Sequence, residues 1–162
     1  MRATYTSPIG KIYLSASDDG LVFCGFRNQP PKENTRRKEQ SGTKTKKGKT
    51  TLTLAARQLK RYFAGDANAL NKLPVAKSGT AFEQAVWREM RRIKPGTPVS
   101  YGQLAIKLKR PGAARAVGTA CKKNPVCLVV PCHRVIASNG KLGGYSAGLS
   151  RKRYLLTLES QR

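Results

Sequence analysis

The sequence predicts an α+β fold. A small N-terminal antiparallel-sheet domain with a helix is followed by a mostly helical C-terminal domain containing a helix-turn-helix, winged-helix-like in type. Three observations predict it. β-branched and aromatic residues near period 2 fill residues 3–26 between turn signals. Apolar residues at three- and four-residue spacing mark helices at Leu52–Ala64 and after Thr80. Two short helical stretches after residue 99 are joined by a tight turn.

The N-terminal domain covers residues 1–73. Ser7-Pro8-Ile9-Gly10 and Asp18-Asp19-Gly20 read as turns, with strands over Lys11–Ser17 and Leu21–Phe26. Residues 29–51 are rich in Lys, Arg, Thr and Gly and almost devoid of apolar side chains, so a basic loop is expected there. The next helix carries the stripe Leu52, Ala55, Ala56, Leu59, Tyr62 and Phe63, and Gly65 ends it. Residues 74–79, with Pro74 and Gly79, read as a linker to a domain over 80–162.

In that second domain Thr80 caps a helix over Ala81–Ile93, whose inner face is Phe82, Val86, Met90 and Ile93 with Trp87 beside it. Pro95-Gly96-Thr97-Pro98 breaks the chain. Ser100 caps a short helix, Tyr101–Leu108, and after the Lys109–Gly112 turn a third helix runs from Pro111 to about Lys123. That helix is rich in Gly and Ala, and Arg115 projects from among them. Small residues let a helix approach another surface closely, or pack against the core, and opposite faces can do both.

Charge narrows the partners. The 162 residues hold 32 Lys and Arg against 8 acidic residues, a net charge of +24. The excess is spread over both halves, which points to a polyanionic partner. No stretch approaches the ~20 apolar residues of a membrane span, and no basic amphipathic helix with a large apolar face is visible, so no membrane partner is expected. The N-terminus lacks an apolar signal core, so the protein is expected inside the cell: cytoplasmic in a prokaryote, nuclear in a eukaryote. Four cysteines without a C-x-x-C pair fit reduced thiols, and with one histidine a four-ligand zinc site would have to take Cys132 or His133, so no metal is expected.

Chemistry concentrates at Pro131-Cys132-His133-Arg134-Val135, after the apolar run Val126–Val130. Proline fixes the turn from which the sulfur projects. A neighbouring histidine can take the thiol proton, and the thiolate is the reactive form.

This pentapeptide and its flanks resemble the O6-alkylguanine-DNA alkyltransferases, the methylated-DNA–protein-cysteine methyltransferases. The likeness runs in order through Gly79–Phe82, Val86-Trp87, Val99–Ala105, Ala114–Gly118, Asn124-Pro125, PCHRV, Gly144–Ser146, Gly148-Leu149, Lys152, Leu155-Leu156 and Glu159. It implies single-turnover transfer of an alkyl group from O6-alkylguanine in double-stranded DNA to Cys132, with no cofactor, by a monomer. O4-alkylthymine is a further substrate the sequence leaves open. By resemblance His133 is the base, Glu159 its orienter, Tyr101 the donor to the departing guanine, and Asn124 a brace for the nucleophile's turn. Arg115 would enter the stack vacated by the flipped base. Ala114, Ala116, Tyr101, Lys122 and Arg134 would contact DNA, and Pro131, Val135, Tyr145, Ser146 and Ala147 would wall the substrate pocket. A non-enzymatic lesion binder or helix-turn-helix regulator is the alternative, and the presence of Cys132 disfavours it.

Overall fold

The computed structural model describes residues 1–27 and 46–161. These fall into two compact units, Met1–Ser78 with Pro125–Val129, and Gly79–Asn124 with Val130–Arg162.

The first unit is built on three antiparallel strands in the order β1 (Arg2–Ser7), β2 (Gly10–Ser17), β3 (Gly20–Gly25). Both expected turns close hairpins, since Ser7 pairs with Gly10 and Ser17 with Gly20. Gly20 has φ +130°, and a Cβ there would lie 2.7 Å from the Pro74 carbonyl, so only glycine fits. The β2–β3 register skips Val22. That bulge resets the hydrogen-bonding parity, so both Leu21 and Cys24 turn their backbone groups away from β2.

Two distant segments use those groups. Leu21 N–H donates to Pro74 O at 2.9 Å and Ala76 N–H to Leu21 O at 2.9 Å. Cys24 N–H donates to Pro125 O at 3.0 Å and Cys127 N–H to Cys24 O at 2.8 Å. Part of the expected 74–79 linker is therefore an edge of this sheet, and residues 125–129 leave the expected C-terminal domain to cap the other part. The physical reason is shared: an edge strand's unpaired N–H and C=O groups are satisfied by extended chain.

Helix α1 spans Lys46–Phe63 and buries Gly48, Thr51, Leu52, Ala55, Leu59 and Tyr62 against the sheet. Its start corrects the expected basic loop 29–51, because residues 46–51 are helical. Lysine is a good helix former, and Gly48 and Thr51 extend the buried stripe by one turn. The remainder of that loop lies outside the described residues.

The second unit packs α2 (Ala81–Met90), α3 (Tyr101–Lys107), α4 (Ala114–Lys122) and α5 (Leu149–Ser160), with a two-stranded parallel pair of β4 (Val99–Ser100) and β5 (Val135–Ile136). Thr80 and Ser100 each close a capping box, with Glu83 and Gln103 respectively. Val86, Trp87 and Met90 meet Val117, Ala120 and Cys121 in the core, and Trp87 Nε1–H donates to Ala120 O at 2.9 Å.

Helix α3 ends in a Schellman arrangement. Lys109 N–H donates to Ile106 O, Arg110 N–H to Ala105 O, and Lys109 itself has φ 58°. The following helix starts at Ala114, not at Pro111. Gly112 has φ +88°, which no α-helical turn accepts, and Ala113 N–H is taken by Arg110 O. Helix α2 likewise stops at Met90, short of the expected Ile93.

Candidate active site

Backbone geometry places Cys132 before any side chain does. Pro131 has φ −81° and ψ 69°, and Cys132 N–H donates to Val130 O at 2.9 Å, which is an inverse γ-turn. Cys132–Arg134 then form one 3₁₀ turn, with Arg134 N–H donating to Pro131 O at 3.0 Å. Asn124, itself buried, donates its Nδ2–H to the same Val130 carbonyl at 2.8 Å. The brace expected of Asn124 thus acts on the residue two before the cysteine. In the first unit Val129 N–H donates to Cys127 O across Leu128, whose φ of 71° is strained for a branched residue.

Cys132 is 5% exposed. His133 is fully buried, and its Nε2 lies 2.8 Å from Glu159 Oε1. Arg134 grips the same carboxylate with two parallel bonds, Nε–H to Oε2 at 2.9 Å and Nη2–H to Oε1 at 2.9 Å. Its Nη1–H donates to Ile93 O at 2.7 Å. Burial alone would raise the Glu159 carboxyl. Hydrogen bonds from His133 and Arg134 override it and hold the group down at about 2. Glu159 is therefore a carboxylate at neutral pH, and His133 Nε2 is the donor in their bond.

Burial lowers the His133 imidazole below its ordinary value, against the opposing pull of Glu159. The ring is neutral, with its proton fixed on Nε2. Nδ1 carries the lone pair, is buried, and has no hydrogen-bond partner among the described residues. The tautomer of His133 is thus set by a carboxylate that is itself held by an arginine.

This arrangement corrects one expectation. Arg134 was expected to contact DNA, but it is 3% exposed and each of its three guanidinium nitrogens donates to an internal acceptor. A phosphate has no route to it.

The cleft at the nucleophile is lined by Tyr101, Cys121, Lys122, Cys132, Gly144, Tyr145 and Ser146. Tyr145 and Ser146, named as pocket walls by resemblance, are among these lining residues. Pro131 and Val135 do not line it: both are buried, and Val135 pairs with Val99 in the β4–β5 ladder. Ala147 lies one residue beyond the lining, where its carbonyl accepts from Arg151 Nη1–H at 2.8 Å.

The Tyr101 ring rests between two glycines. A Cβ on Gly118 would touch it at 3.8 Å, and one on Gly143, at φ +66°, would press its Oη at 3.3 Å. Burial, then the charges of Cys121 and Cys132, raise the Tyr101 phenol above its usual value, so it keeps its proton. Arg115, Ala116 and Lys122 lie on the exposed face of α4, opposite Val117, Ala120 and Cys121; Ala114 is half-buried.

Sequence reasoning assigned no role to three further residues. Lys152 is fully buried on α5, one turn and two turns before Leu155 and Glu159 on the same inward stripe. Its Nζ–H groups donate to Val135 O at 2.6 Å and Gly144 O at 3.2 Å, joining the strand after the nucleophile to the loop of the cleft. Burial lowers its ammonium, and the negative charge available on Cys132 and Cys121 pulls it back up. Cys121 is a cleft wall whose thiol burial pushes up to about 12, so it stays protonated. Gly143 was the third. A polar residue on an inward helical stripe was the available signal for Lys152; nothing local marks Cys121 or Gly143.

Among the described residues no cluster of three or more His, Cys, Asp or Glu side chains could hold a metal, and no helix is long and apolar enough to cross a membrane.

Fold and site together define a class: a helix-turn-helix protein with a buried thiol beside a carboxylate-oriented imidazole. The chain belongs to the methylated-DNA–protein-cysteine methyltransferase family. The model of the 6-O-methylguanine DNA methyltransferase DNA-binding domain matches residues 81–161, and that of its ribonuclease-like domain matches residues 1–76. A methylated-DNA–protein-cysteine methyltransferase of Methanosarcina acetivorans is 38% identical over 97% of this chain and 96% of its own. One of Mycobacterium bovis is 41% identical over 98% and 92%. Among solved structures, Mycobacterium tuberculosis OGT in complex with DNA superposes with a TM-score of 0.78 at 37% identity, covering 98% of this chain and 92% of that one.

Proposed function

We propose that this protein reverses DNA alkylation directly, by transferring the alkyl group of O6-alkylguanine to Cys132 in a single, irreversible turnover. The observation that carries the reading is the hydrogen-bond chain Arg134–Glu159–His133, which leaves a neutral imidazole nitrogen, Nδ1, unoccupied in the interior next to the cysteine in sequence. Such an atom accepts a proton, directly or through one water.

In the reaction His133 takes the thiol proton and the sulfur attacks the alkyl carbon. The S–C bond forms, the C–O6 bond breaks, and its electron pair leaves with the guanine. Tyr101, held as a phenol, supplies the proton that neutralises the departing base. Lys152 faces the thiolate with a positive charge. The target carbon is inaccessible inside a duplex, so the nucleotide is rotated out, and Arg115 on the exposed face of α4 fills the gap. The product thioether has no bond that water cleaves readily, so the thiol is not regenerated. The protein acts as a monomer, inside the cell.

Intact-mass measurement after mixing with a duplex bearing O6-methylguanine tests this. One methyl group on Cys132 per molecule, with no further turnover, is expected. An unmodified protein that still binds the lesion would establish the lesion-binder alternative.

Glu159→Gln is expected to slow transfer about 10- to 100-fold, because the base loses its orienter and part of its proton affinity. Glu159 supports the imidazolium, so its removal also moves the acid limb of the pH–rate profile further below the ordinary histidine value of 6.5. An unchanged rate with an unchanged acid limb removes Glu159 from the relay.

A further inference from the structure

Helix α1 carries a charged face that the alkyl-transfer chemistry does not use. Its buried residues, Gly48, Thr51, Leu52, Ala55, Leu59 and Tyr62, occupy one side. At about 100° per residue, Lys46, Lys49, Arg57 and Lys60 fall on the side opposite, and all four are exposed. The helix contains no acidic residue. The nearest acid along the chain, Asp66, is taken by Arg61 at 2.6 Å. Among the described residues Lys46, Lys49, Arg57 and Lys60 have no ion-pair partner.

Between the cations the surface is low. Thr50 and Thr53 occupy the same face, and their hydroxyls donate back into the helix, to Lys46 O at 2.9 Å and Lys49 O at 3.1 Å. The half-buried Leu54 flanks this side, and no fully exposed large apolar side chain stands on it, which is wrong for insertion into a bilayer. Lys46 with Lys49, and Arg57 with Lys60, are like-charge pairs three residues apart, an arrangement that costs an isolated helix and that a bound polyanion relieves.

We propose that this face of α1 is a second docking surface for the phosphate backbone of double-stranded DNA, carried by the N-terminal unit in addition to the helix-turn-helix of the other. Charge complementarity selects the occupant. From Lys46 to Lys60 the helix rises about 21 Å, and that length of duplex carries about 12 phosphate charges. Lysine and arginine on phosphates give affinity without sequence preference, which suits a protein that must scan any sequence for a damaged base. The proposal concerns binding alone and stands or falls independently of the alkyl-transfer reading.

The test compares two fourfold variants of equal net charge. One is Lys46→Gln/Lys49→Gln/Arg57→Gln/Lys60→Gln, with glutamine chosen for its similar helix propensity. The other is Lys11→Gln/Arg27→Gln/Lys72→Gln/Lys77→Gln, at exposed positions elsewhere on the same unit. Affinity for an undamaged 30-base-pair duplex is measured from 50 to 200 mM NaCl, alongside transfer to free O6-benzylguanine base. The α1 variant is expected to flatten the slope of log K against log salt by about 0.9 per lost contact, up to about 3.6. The control variant keeps the parental slope, and both keep the parental rate on the free base. An unchanged slope in the α1 variant overturns the proposal. Equal flattening in the control overturns it too, because net charge alone would then account for the effect. Loss of binding to polyglutamate or double-stranded RNA with DNA binding intact assigns the face to another partner and likewise overturns it.

Discussion

Replacing Cys132 by serine is expected to abolish alkyl transfer, with a loss of about a thousandfold or more, while binding to duplex DNA is retained. The site is built to remove a proton from a thiol, not from an alcohol. The imidazole is neutral and its proton affinity is lowered by burial, so it is too weak a base for a hydroxyl far above the thiol range. Oxygen is also the harder nucleophile toward an alkyl carbon. Serine is nearly isosteric, and the turn beneath it is set by Pro131, Asn124 and backbone bonds that do not involve the sulfur. Second-order rates with O6-benzylguanine base and with a methylated duplex, plus a filter or anisotropy measurement of binding, separate the two effects. A serine variant that still transfers at a comparable rate would move the acceptor to another residue.

The largest effect on stability is expected at Arg134. In Arg134→Met the carboxylate of Glu159 keeps its charge in the interior but loses both hydrogen bonds from Arg134 and keeps the one with His133. Breaking a buried pair in this way costs about 3–5 kcal/mol, read as a lower midpoint in urea unfolding. The double variant Arg134→Met/Glu159→Gln is expected to recover part of that loss, since no charge is then stranded. The pH dependence follows from the same pair. The native carboxyl titrates at about 2 against an ordinary 4.5, so its contribution is full above the ordinary value and disappears as pH falls toward 2. Arg134→Met is expected to flatten this acid limb. Equal urea midpoints for parent and variant would show that solvent, not Arg134, compensates the carboxylate.

Much of this site was legible in the residues. A proline-cysteine-histidine run after an apolar segment marks a thiol held by a stiff turn, and the turn signals and caps at Ser7–Gly10, Thr80 and Ser100 located strands and helices because their chemistry is local. What stayed hidden is pairing at a distance. Nothing in Pro74–Ala76 or Pro125–Cys127 announces that these segments complete the edge of β3, since the need arises from backbone groups that every residue carries. Arg134 was misread for a related reason: an arginine in a chain with this much positive charge reads as a phosphate contact, and only the fold brings Glu159 and the Ile93 carbonyl around it. Lys152 stood in the family likeness, but its contacts with the Val135 and Gly144 carbonyls could not be read before its burial was seen. The start of α1 was obscured because a lysine-rich segment has the composition of a solvated loop, whereas Gly48 and Thr51 turn it toward the sheet.

Under the proposed transfer, the tightness around Cys132 also sets the lifetime of each molecule. With Cys132 5% exposed and its cleft walled by Tyr101, Cys121 and Tyr145, an added alkyl group is surplus volume in a packed interior. Overpacking of this kind typically costs about 1–3 kcal/mol, out of a folding free energy of roughly 5–15 kcal/mol. A spent molecule therefore populates its unfolded state roughly 5- to 150-fold more than a fresh one. Proteolysis acts on that state, so the chemistry that ends a molecule's usefulness also hastens its disposal. The concentration of the working form is then set by synthesis against damage, and the pool keeps its own account of lesions removed.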